Sequence, residues 1–245
     1  MKNDLIFGIH PILEAIASNK TFDKVFIQNR IQGENIRQII HEFKLLGVHI
    51  NYVPLEKIER ITKKNHQGVV AFISPVSFHK IEDLMPLLFE EGKNPFILVL
   101  DKITDVRNFG AIARTAECVG VDAIIIGDSM AAPVNEDSMK TSAGALNNIK
   151  ICKESNLTKT LQFLQSSGLK VVCATEKADK IVYDNELTSP LVLVMGSEDE
   201  GISKTILEIA DLQVKLPVFG KTSSLNVSVA CGAILYEITR QRLAV

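Results

Sequence analysis

Three short segments in the C-terminal part of the chain combine glycines with side chains that can hydrogen-bond or carry charge. In the first, Asn108, Gly110 and Arg114 form the pattern NxGxxxR. An amide can orient a hydroxyl group, and a guanidinium can stabilise negative charge that develops on an oxygen atom. Asparagine is also a favoured N-cap, so the pattern predicts a helix that begins at Asn108. Taken alone, it favours a capped helix with a surface arginine over a functional site.

The second segment, Gly196–Gly201, has the sequence GSEDEG and follows an apolar run. Its two glycines allow a ligand to approach the backbone closely. The three acids between them, Glu198, Asp199 and Glu200, can simply solvate a turn. Like charges at a strand end are nevertheless costly unless a cationic or polar group answers them, which favours a functional interpretation.

The third segment is a loop that contains Gly220 and leads into the last helix of the chain. Ser223 or Ser224 is the predicted N-cap of that helix. Ser224 and Asn226 are therefore either capping residues or part of a site. The helix also carries small residues, which predict tight packing against another backbone: Ala230, Gly232 and Ala233.

Histidine and cysteine usage excludes several kinds of site. All five histidines lie within the first 79 residues, so the C-terminal part has no imidazole base of its own. None of the four cysteines forms a CxxC pair, and each has apolar or small neighbours, which predicts buried, reduced thiols and no metal site. The cysteines are Cys118, Cys152, Cys173 and Cys231.

Alternating strand and helix patterns position the three segments. The run Phe96–Leu100 is continuously apolar, as in a strand that is buried on both faces of a parallel sheet. The alternation that follows predicts an α/β fold with a parallel sheet, whose ligands bind at the carboxyl ends of the strands. The predicted strands are 96–100, 123–126, 171–174, 191–195 and 212–216, and the predicted helices are 108–119, 157–165, 203–210 and 224–242.

The N-terminal part predicts a second, smaller α/β unit. Strands are expected at 24–28, 48–53 and 69–73, and helices at 12–17, 34–45 and 55–61. Ser74-Pro75 and Gly92–Pro95 are rich in turn formers, with a possible helix at 81–90 between them. We therefore predict a first domain at 1–75, a linker at 76–94 and a second domain at 95–245.

Composition is that of an ordinary globular protein, with 46% hydrophobic and 23% charged residues. No apolar run approaches a membrane span and no signal peptide is visible, which favours a cytoplasmic location. The net charge of −2 argues against a protein that coats nucleic acid nonspecifically.

Together and in this order, the three segments resemble the motifs of the SpoU/TrmH family of the SPOUT superfamily, the RNA ribose 2′-O-methyltransferases. The resemblance covers residues 95–245. The segment Phe7–Ala15, with the sequence FGIHPILEA, resembles the start of the L30e-like substrate-binding domain in the subgroup that methylates a guanosine of 23S rRNA. Asp199 departs from the family pattern, which often has a small residue at this position.

The resemblance implies a SPOUT catalytic domain with a C-terminal trefoil knot, S-adenosylmethionine as methyl donor, an RNA substrate and a homodimer with its site at the subunit interface. It implies that the catalytic residues are Asn108, Arg114, Glu198, Ser224 and Asn226. It also places the cofactor at Thr175, Gly196, Leu216 and Leu225, largely through their backbone groups. No metal is implied.

Arg114 is the centre of the predicted mechanism. The family proposal makes it the base, but a guanidinium with a pKa above ~12 is expensive to deprotonate. We therefore expect Arg114 to orient the 2′-hydroxyl and stabilise developing alkoxide charge, with the proton passing to a neighbouring phosphate.

Three other functions remain open from the sequence. A tRNA could replace rRNA as the substrate, although the L30e-like unit favours rRNA. A non-catalytic RNA-binding factor for ribosome assembly is disfavoured, because every catalytic residue type is retained. A nucleotide-binding oxidoreductase is the least favoured, because no GxGxxG follows a predicted strand.

Overall fold

The computed structural model describes residues 5–222 and 224–244, and the chain forms two compact units. The smaller unit comprises the residues up to Ser77 together with Val134–Glu136. The larger unit comprises Phe78–Pro133 and the residues from Asp137 onward.

The smaller unit is built on a four-stranded mixed sheet with the order β1-β4-β2-β3. Strand β4 is antiparallel to both of its neighbours, whereas β2 and β3 are parallel. Its elements are β1 (Leu5–Phe7), α1 (Ile9–Ala17), β2 (Phe22–Gln28), α2 (Glu34–Leu45), β3 (Ile50–Val53), α3 (Leu55–Ile61) and β4 (Val69–Ile73).

Strict alternation along β2 sends its side chains to two different cores. Val25 and Ile27 are fully buried against α1 and α2, in a cluster that also contains Phe43. Phe26 belongs to the opposite face, where Ile58 of α3 is fully buried. Two-sided burial of this kind explains why β2 is rich in apolar residues although the unit is small.

The larger unit is built on an eight-stranded sheet with the order β10-β12-β9-β11-β6-β7-β8-β5. Every pair of neighbouring strands in it is parallel, which confirms the predicted fold class. Its strands are β5 (Phe78–His79), β6 (Phe96–Asp101), β7 (Ala123–Gly127), β8 (Lys150–Glu154), β9 (Lys170–Ala174), β10 (Lys180–Ile181), β11 (Leu191–Gly196) and β12 (Leu212–Lys215). Its helices are α4 (Ile81–Glu90), α5 (Val106–Cys118), α6 (Glu136–Thr141), α7 (Leu157–Ser166), α8 (Lys204–Leu207) and α9 (Val227–Leu243), with 3₁₀ turns at Ala145–Asn147 and Val182–Asp184.

The central strands β6 and β11 are buried at every residue, as their unbroken apolar sequences predict. The segment expected to be a linker contributes to the same core. Helix α4 buries Ile81, Leu84, Met85 and Leu88 in the cluster that contains the apolar residues of the central strands. Residues 76–94 therefore carry a sheet strand and a packed helix.

Several elements differ from the sequence predictions. Helix α8 has four residues where eight were expected. The ends of the other predicted strands and helices differ from the structure by at most three residues, and four elements, at 34–45, 55–61, 69–73 and 81–90, match at both ends. Strands β1, β5, β8 and β10 and helix α6 were not predicted. Strands of two or three residues hold too few positions for a periodic pattern, and β8 has only Ile151 and Cys152 buried between charged residues.

Candidate active site

The three motif segments meet at the carboxyl ends of adjacent strands. Strands β12, β9, β11 and β6 are consecutive in the sheet, and the last residue of β11, Gly196, pairs with the last residue of β6, Asp101. The order in which strands are added to the sheet reverses at β6, because β7 lies on one side of β6 and β11 lies on the other. Such a switch point is where parallel α/β sheets bind ligands.

The first motif folds differently from the predicted helix start. Helix α5 begins at Val106, and its N-cap is Asp105, whose side chain accepts hydrogen bonds from the backbone N–H groups of Arg107 (3.0 Å) and Asn108 (2.8 Å). The prediction that Asn108 caps the helix is therefore wrong. Because Asp105 performs the capping, the amide of Asn108 is free to contact other motifs.

Gly110 of the first motif has a packing role. A Cβ atom at this position would lie 2.0 Å from Thr141 Oγ1 and 2.6 Å from Thr141 Cβ. Only glycine lets the first turns of α5 lie this close to α6. This fixes the start of α5, and with it Asn108, against the rest of the unit.

The second motif forms a tight loop that returns onto its own strand. The backbone N–H of Gly201 donates to the carbonyl of Ser197 (3.0 Å), and a Cβ on Gly196 would lie 2.2 Å from the carbonyl carbon of Gly201. Asp101, at the end of β6, accepts a hydrogen bond from the backbone N–H of Ser203 at 2.7 Å. The loop is thus held at both ends of its path.

Two of the three acids in this loop have polar partners. Glu200 pairs with Lys102, and this hydrogen bond raises the pKa of the lysine. Glu198 accepts hydrogen bonds from the side-chain amide of Asn108 (3.3 Å) and from the backbone N–H of Val227 (3.1 Å). Asp199 is exposed to solvent.

Asn226 completes a three-residue network with Asn108 and Glu198. Its Nδ2 group donates to Asn108 Oδ1 (3.0 Å) and to Glu198 Oε1. Its Oδ1 accepts from the backbone N–H of Ser228 (3.0 Å), which makes Asn226 the N-cap of α9. The carboxylate of Glu198 lies at the positive end of that helix, where a negative charge is favoured.

The sequence predicted Ser223 or Ser224 as the N-cap of the last helix. Ser224 is not the N-cap, because α9 begins at Val227 and Asn226 provides the capping oxygen. Ser223 lies outside the described residues. An asparagine can accept two backbone N–H groups with one oxygen and still donate with its amide nitrogen, which a serine hydroxyl cannot do at the same reach.

Arg114 and Ser224 lie apart from this network. Arg114 is exposed on α5 and forms no hydrogen bond or ion pair with any described residue. Ser224 is also exposed, and it lines the cavity beside the network. The structure thus brings three of the five predicted catalytic residues into direct contact and leaves two with free polar groups.

A cavity adjoins the network and contains all four predicted cofactor residues. Thr175, Gly196, Leu216 and Leu225 line it, together with Glu198 and Ser224. It is a half-open cleft rather than an enclosed cavity, and the space in it that a ligand could enter is about 100 Å³.

The cavity lining suits an amphipathic ligand with both apolar and polar parts. Met195, Val214, Val218 and Ile234 provide apolar surface. The backbone N–H of Thr175 donates to the carbonyl of Val214 (2.9 Å), and the Thr175 hydroxyl accepts a hydrogen bond from the backbone N–H of Lys177 (3.4 Å). Glu176 and Lys215 add one charge of each sign to the lining.

Sequence reasoning missed three residues that build the site: Asp101, Lys102 and Asp105. The signal for Asp105 was present, since it stands three residues before Asn108 and aspartate is as good an N-cap as asparagine. Lys102 could not be paired with Glu200 from sequence, because the two lie 98 positions apart.

Three of the four cysteines are buried as predicted, and Cys118 is exposed, which corrects the expectation for that residue. Burial raises the pKa of the Cys152 and Cys173 thiols to about 12, which keeps them protonated and unreactive. Among the described residues, no helix is long and apolar enough to cross a lipid bilayer.

Comparison with known sequences identifies the family. The profile of the SpoU rRNA Methylase family matches residues 95–236, which is more than half of the chain. The chain belongs to this family. The profile for RNA 2′-O ribose methyltransferase substrate binding matches residues 5–79 of this SpoU methylase. The family predicted from the three motifs and from Phe7–Ala15 is therefore confirmed, and with it the class of RNA ribose methyltransferases.

Relatives match along nearly the whole chain. The 23S rRNA (guanosine-2′-O-)-methyltransferase RlmB of Photobacterium profundum is 35% identical over 244 residues, which cover 99% of both chains. The putative TrmH family tRNA/rRNA methyltransferase YacO of Bacillus subtilis is 34% identical over 98% of this chain and 97% of its own.

A solved structure shows the same fold. The SpoU methyltransferase AviRb from Streptomyces viridochromogenes, in complex with the cofactor AdoMet, aligns with a TM-score of 0.63 and 23% identity. The alignment covers 98% of this chain and 91% of that structure.

Proposed function

We propose that this SpoU methylase transfers a methyl group from S-adenosylmethionine to a ribose 2′-hydroxyl of RNA, at a guanosine of 23S rRNA. The observation that carries the proposal is the network of Asn108, Glu198 and Asn226 beside a cavity that all four predicted cofactor residues line. The guanosine and 23S rRNA are the substrate named for the Photobacterium relative, which matches from end to end.

Bound in the cavity, S-adenosylmethionine would supply an activated methyl group on a sulfonium. Thr175, Gly196, Leu216 and Leu225 would hold it. Gly196 lies at the end of β11, where the second-motif loop packs directly on it, and Leu216 and Leu225 line the cavity from the two ends of the loop between β12 and α9. The apolar part of the lining offers surface on which the cofactor's apolar groups could be buried.

Arg114 is the group available to the substrate oxygen. No histidine occurs after residue 79, and Arg114 is exposed with no partner among the described residues. Its guanidinium can donate to the ribose 2′-oxygen, orient it for attack and stabilise the charge that develops on it. Ser224 can donate a second hydrogen bond at the cavity edge.

The network of Asn108, Glu198 and Asn226 serves positioning. It joins the first turn of α5, the end of β11 and the N-terminus of α9 through side-chain hydrogen bonds. Holding reactants in line supplies several kcal/mol of the barrier reduction in such a transfer. We assign these three residues to the alignment of the substrate ribose and the loops that surround it.

A second cavity beside Asn108 supports an RNA strand at this place. Arg107 and Lys140 line it together with Thr104, Asp105, Asp137 and Thr141. Asp105 is engaged as the cap of α5, which leaves Asp137 as the other acid beside the two cations. Arg107 and Lys140 could neutralise phosphates of a bound RNA strand.

We further propose that the enzyme is a homodimer that associates through α9. One stripe of this helix and the residues before it expose large apolar side chains: Leu225 (45%), Val229 (56%), Tyr236 (58%) and Leu243 (83%). A contiguous apolar stripe on a soluble surface marks an interaction site, and self-association is the commonest one. The trefoil knot that the family resemblance implies stays a prediction.

We assign RNA recognition to the domain at residues 1–75 and methyl transfer to the domain at 95–245, with 76–94 between them. A ribosomal RNA substrate would place the protein in the cytoplasm.

The test is transfer of tritiated methyl from S-adenosylmethionine to unmodified 23S rRNA and, separately, to unmodified tRNA, followed by mapping of the modified nucleotide. We expect label on a ribose of 23S rRNA. Label on tRNA alone would contradict 23S rRNA as the substrate and identify tRNA instead. Label on a base would overturn the proposal of ribose methylation. Analytical ultracentrifugation of wild type and Tyr236→Arg tests the dimer, which the charged variant should dissociate.

A further inference from the structure

The loop between β12 and α9 carries a phenylalanine that the fold does not use. Phe219 is 96% exposed, the highest value of any large apolar residue described. Its loop neighbours Leu216 and Val218 line the cofactor cavity, and so do Ser224 and Leu225 at the other end of the loop. Phe219 thus projects into solvent from the wall of the active site.

Its exposure has no explanation within the folded chain. Burial of a phenylalanine side chain stabilises a protein by about 1.5–3 kcal/mol, and Phe219 contributes almost none of this. The adjacent Gly220 has no atom within 4 Å of where its Cβ would be, so the space around the loop is open. A ring held in this way is available to a binding partner.

Charge identifies the class of that partner. Between Leu212 and Asn226 the chain has two lysines, Lys215 and Lys221, and no acidic residue. Lys215 lines the cavity and Lys221 is exposed two positions after Phe219. An aromatic ring flanked by cations fits a nucleic acid base and its phosphates, because every base has a face that can stack on the ring.

We propose that Phe219 stacks on an RNA base adjacent to the ribose that is methylated, while Lys221 contacts the phosphate of that nucleotide. Phe219 is then a substrate-binding residue that fixes the register of the RNA strand over the cavity. The inference rests on the proposed methylation of RNA. It adds a contact that the family resemblance does not assign, since Phe219 is not among the nine predicted site residues.

The chain contains no tryptophan, so Phe219→Trp creates a single fluorescent reporter. Stacking on a base should quench this fluorescence when a fragment of 23S rRNA is added, and S-adenosylmethionine alone should not. The matched control is Phe89→Trp, on an α4 residue that is 43% exposed and does not line the cavity. Its fluorescence should not respond to RNA.

Kinetics provide the second readout. Phe219→Ala should raise the KM for RNA by about 5- to 150-fold, and Phe219→Tyr should restore it, because the ring is retained. The affinity for S-adenosylmethionine should stay at the wild-type value. Val218→Ala, which removes part of the cavity lining instead, should lower the affinity for S-adenosylmethionine and leave the KM for RNA near the wild-type value.

The outcomes separate the alternatives. If the fluorescence of the Phe219→Trp variant changes with protein concentration alone, in step with the sedimentation coefficient, Phe219 lies in an interface between two copies and the proposal is overturned. If the fluorescence changes with S-adenosylmethionine alone, Phe219 contacts the cofactor instead of the RNA, and the proposal is also overturned. If wild type methylates rRNA and Phe219→Ala has an unchanged KM, this inference fails and the proposed function stands; if wild type transfers no methyl group to RNA, the proposed function itself fails.

Discussion

The active site has two halves that differ in how much the folded chain already engages them. In one half, Asn108, Glu198 and Asn226 bind one another and the N-terminus of α9. In the other, Arg114 and Ser224 are exposed with no hydrogen bond to a described residue. The residues proposed for positioning are thus preorganised, and the two residues proposed to contact the reacting oxygen have no hydrogen-bond partner among the described residues.

This difference predicts which mutations should lower activity and which should lower stability. A residue that the fold uses cannot be changed without disturbing the loops around it, whereas a residue that the fold does not use can be removed with little structural effect. Mutations in the two halves should therefore give opposite patterns of activity loss and destabilisation.

Removal of Arg114 should give the largest loss of activity. Arg114→Ala should lower the single-turnover rate of methyl transfer by about 10²–10³-fold, the usual cost of losing a donor to developing negative charge. Its melting temperature should stay close to that of wild type, because Arg114 is exposed and forms no hydrogen bond or ion pair with a described residue. A near-normal transfer rate would contradict both the orienting role and the role as base, and Arg114→Lys shows how far a cation of different shape suffices.

Gly196→Ala should be the most destabilising change in the engaged half. The added Cβ would lie 2.2 Å from the backbone of Gly201, so the second-motif loop must move. We expect a loss of about 1–3 kcal/mol in the free energy of unfolding and much weaker binding of S-adenosylmethionine. Denaturant titration and calorimetry measure the two effects.

The matched control is Gly220→Ala, where nothing lies within 4 Å of the added atom. Its stability and cofactor affinity should match wild type. Equal behaviour of the two alanine variants would mean that the second-motif loop is not held as tightly as its contacts indicate.

Glu198→Gln should have a smaller effect, spread over activity and stability. It keeps the shape of the side chain and removes the charge that accepts from Asn226 and Val227. Because the residue is exposed, we expect about 1 kcal/mol of destabilisation and a roughly tenfold slower transfer. Asp199→Asn, which removes the neighbouring charge that has no such contacts, should leave the rate unchanged.

Thiol labelling should give the smallest and most local readout. In native protein only Cys118 should react quickly, because burial raises the pKa of Cys152 and Cys173 to about 12 and also raises that of Cys231. Cys231 lies in α9 five residues after Asn226. Glu198→Gln should speed its modification if the network holds the start of α9, and Asp199→Asn should not.

The buried thiols of Cys152 and Cys173 should make the protein less stable at alkaline pH. Their pKa in the folded state lies above the ordinary value of 9.0, so the folded protein keeps protons that the unfolded chain loses. The free energy of unfolding should therefore fall as pH rises from about 9 towards 12. A titration that is flat over this range would contradict the burial of Cys152 and Cys173.

Much of the fold followed from apolar patterning. Strands β6 and β11 were predicted because apolar runs of five residues without a polar break have no other place than the interior of a parallel sheet. The ends of α5 and α9 were less predictable. Asp105, Asn108, Ser224 and Asn226 are all good caps by residue type, and only the path of the backbone selects between them.

The candidate site was predicted as a set of residues and not as an arrangement. The family resemblance supplied all nine site residues, and the structure places Thr175, Gly196, Leu216 and Leu225 in one cavity. The ion pair of Lys102 with Glu200 and the capping role of Asp105 were missed, since the resemblance assigns none of these three residues to the site.

By itself, the sequence determined the parallel α/β class, the family and the lack of any histidine after residue 79, because these depend on residue types and their local spacing. Only the tertiary structure decided that Asn108, Glu198 and Asn226 form one network while Arg114 and Ser224 form no hydrogen bond within the described part of the chain. Those contacts join residues that are 28 to 118 positions apart. Which side chains meet at such separations depends on the order of strands in the sheet, and local propensities do not encode that order.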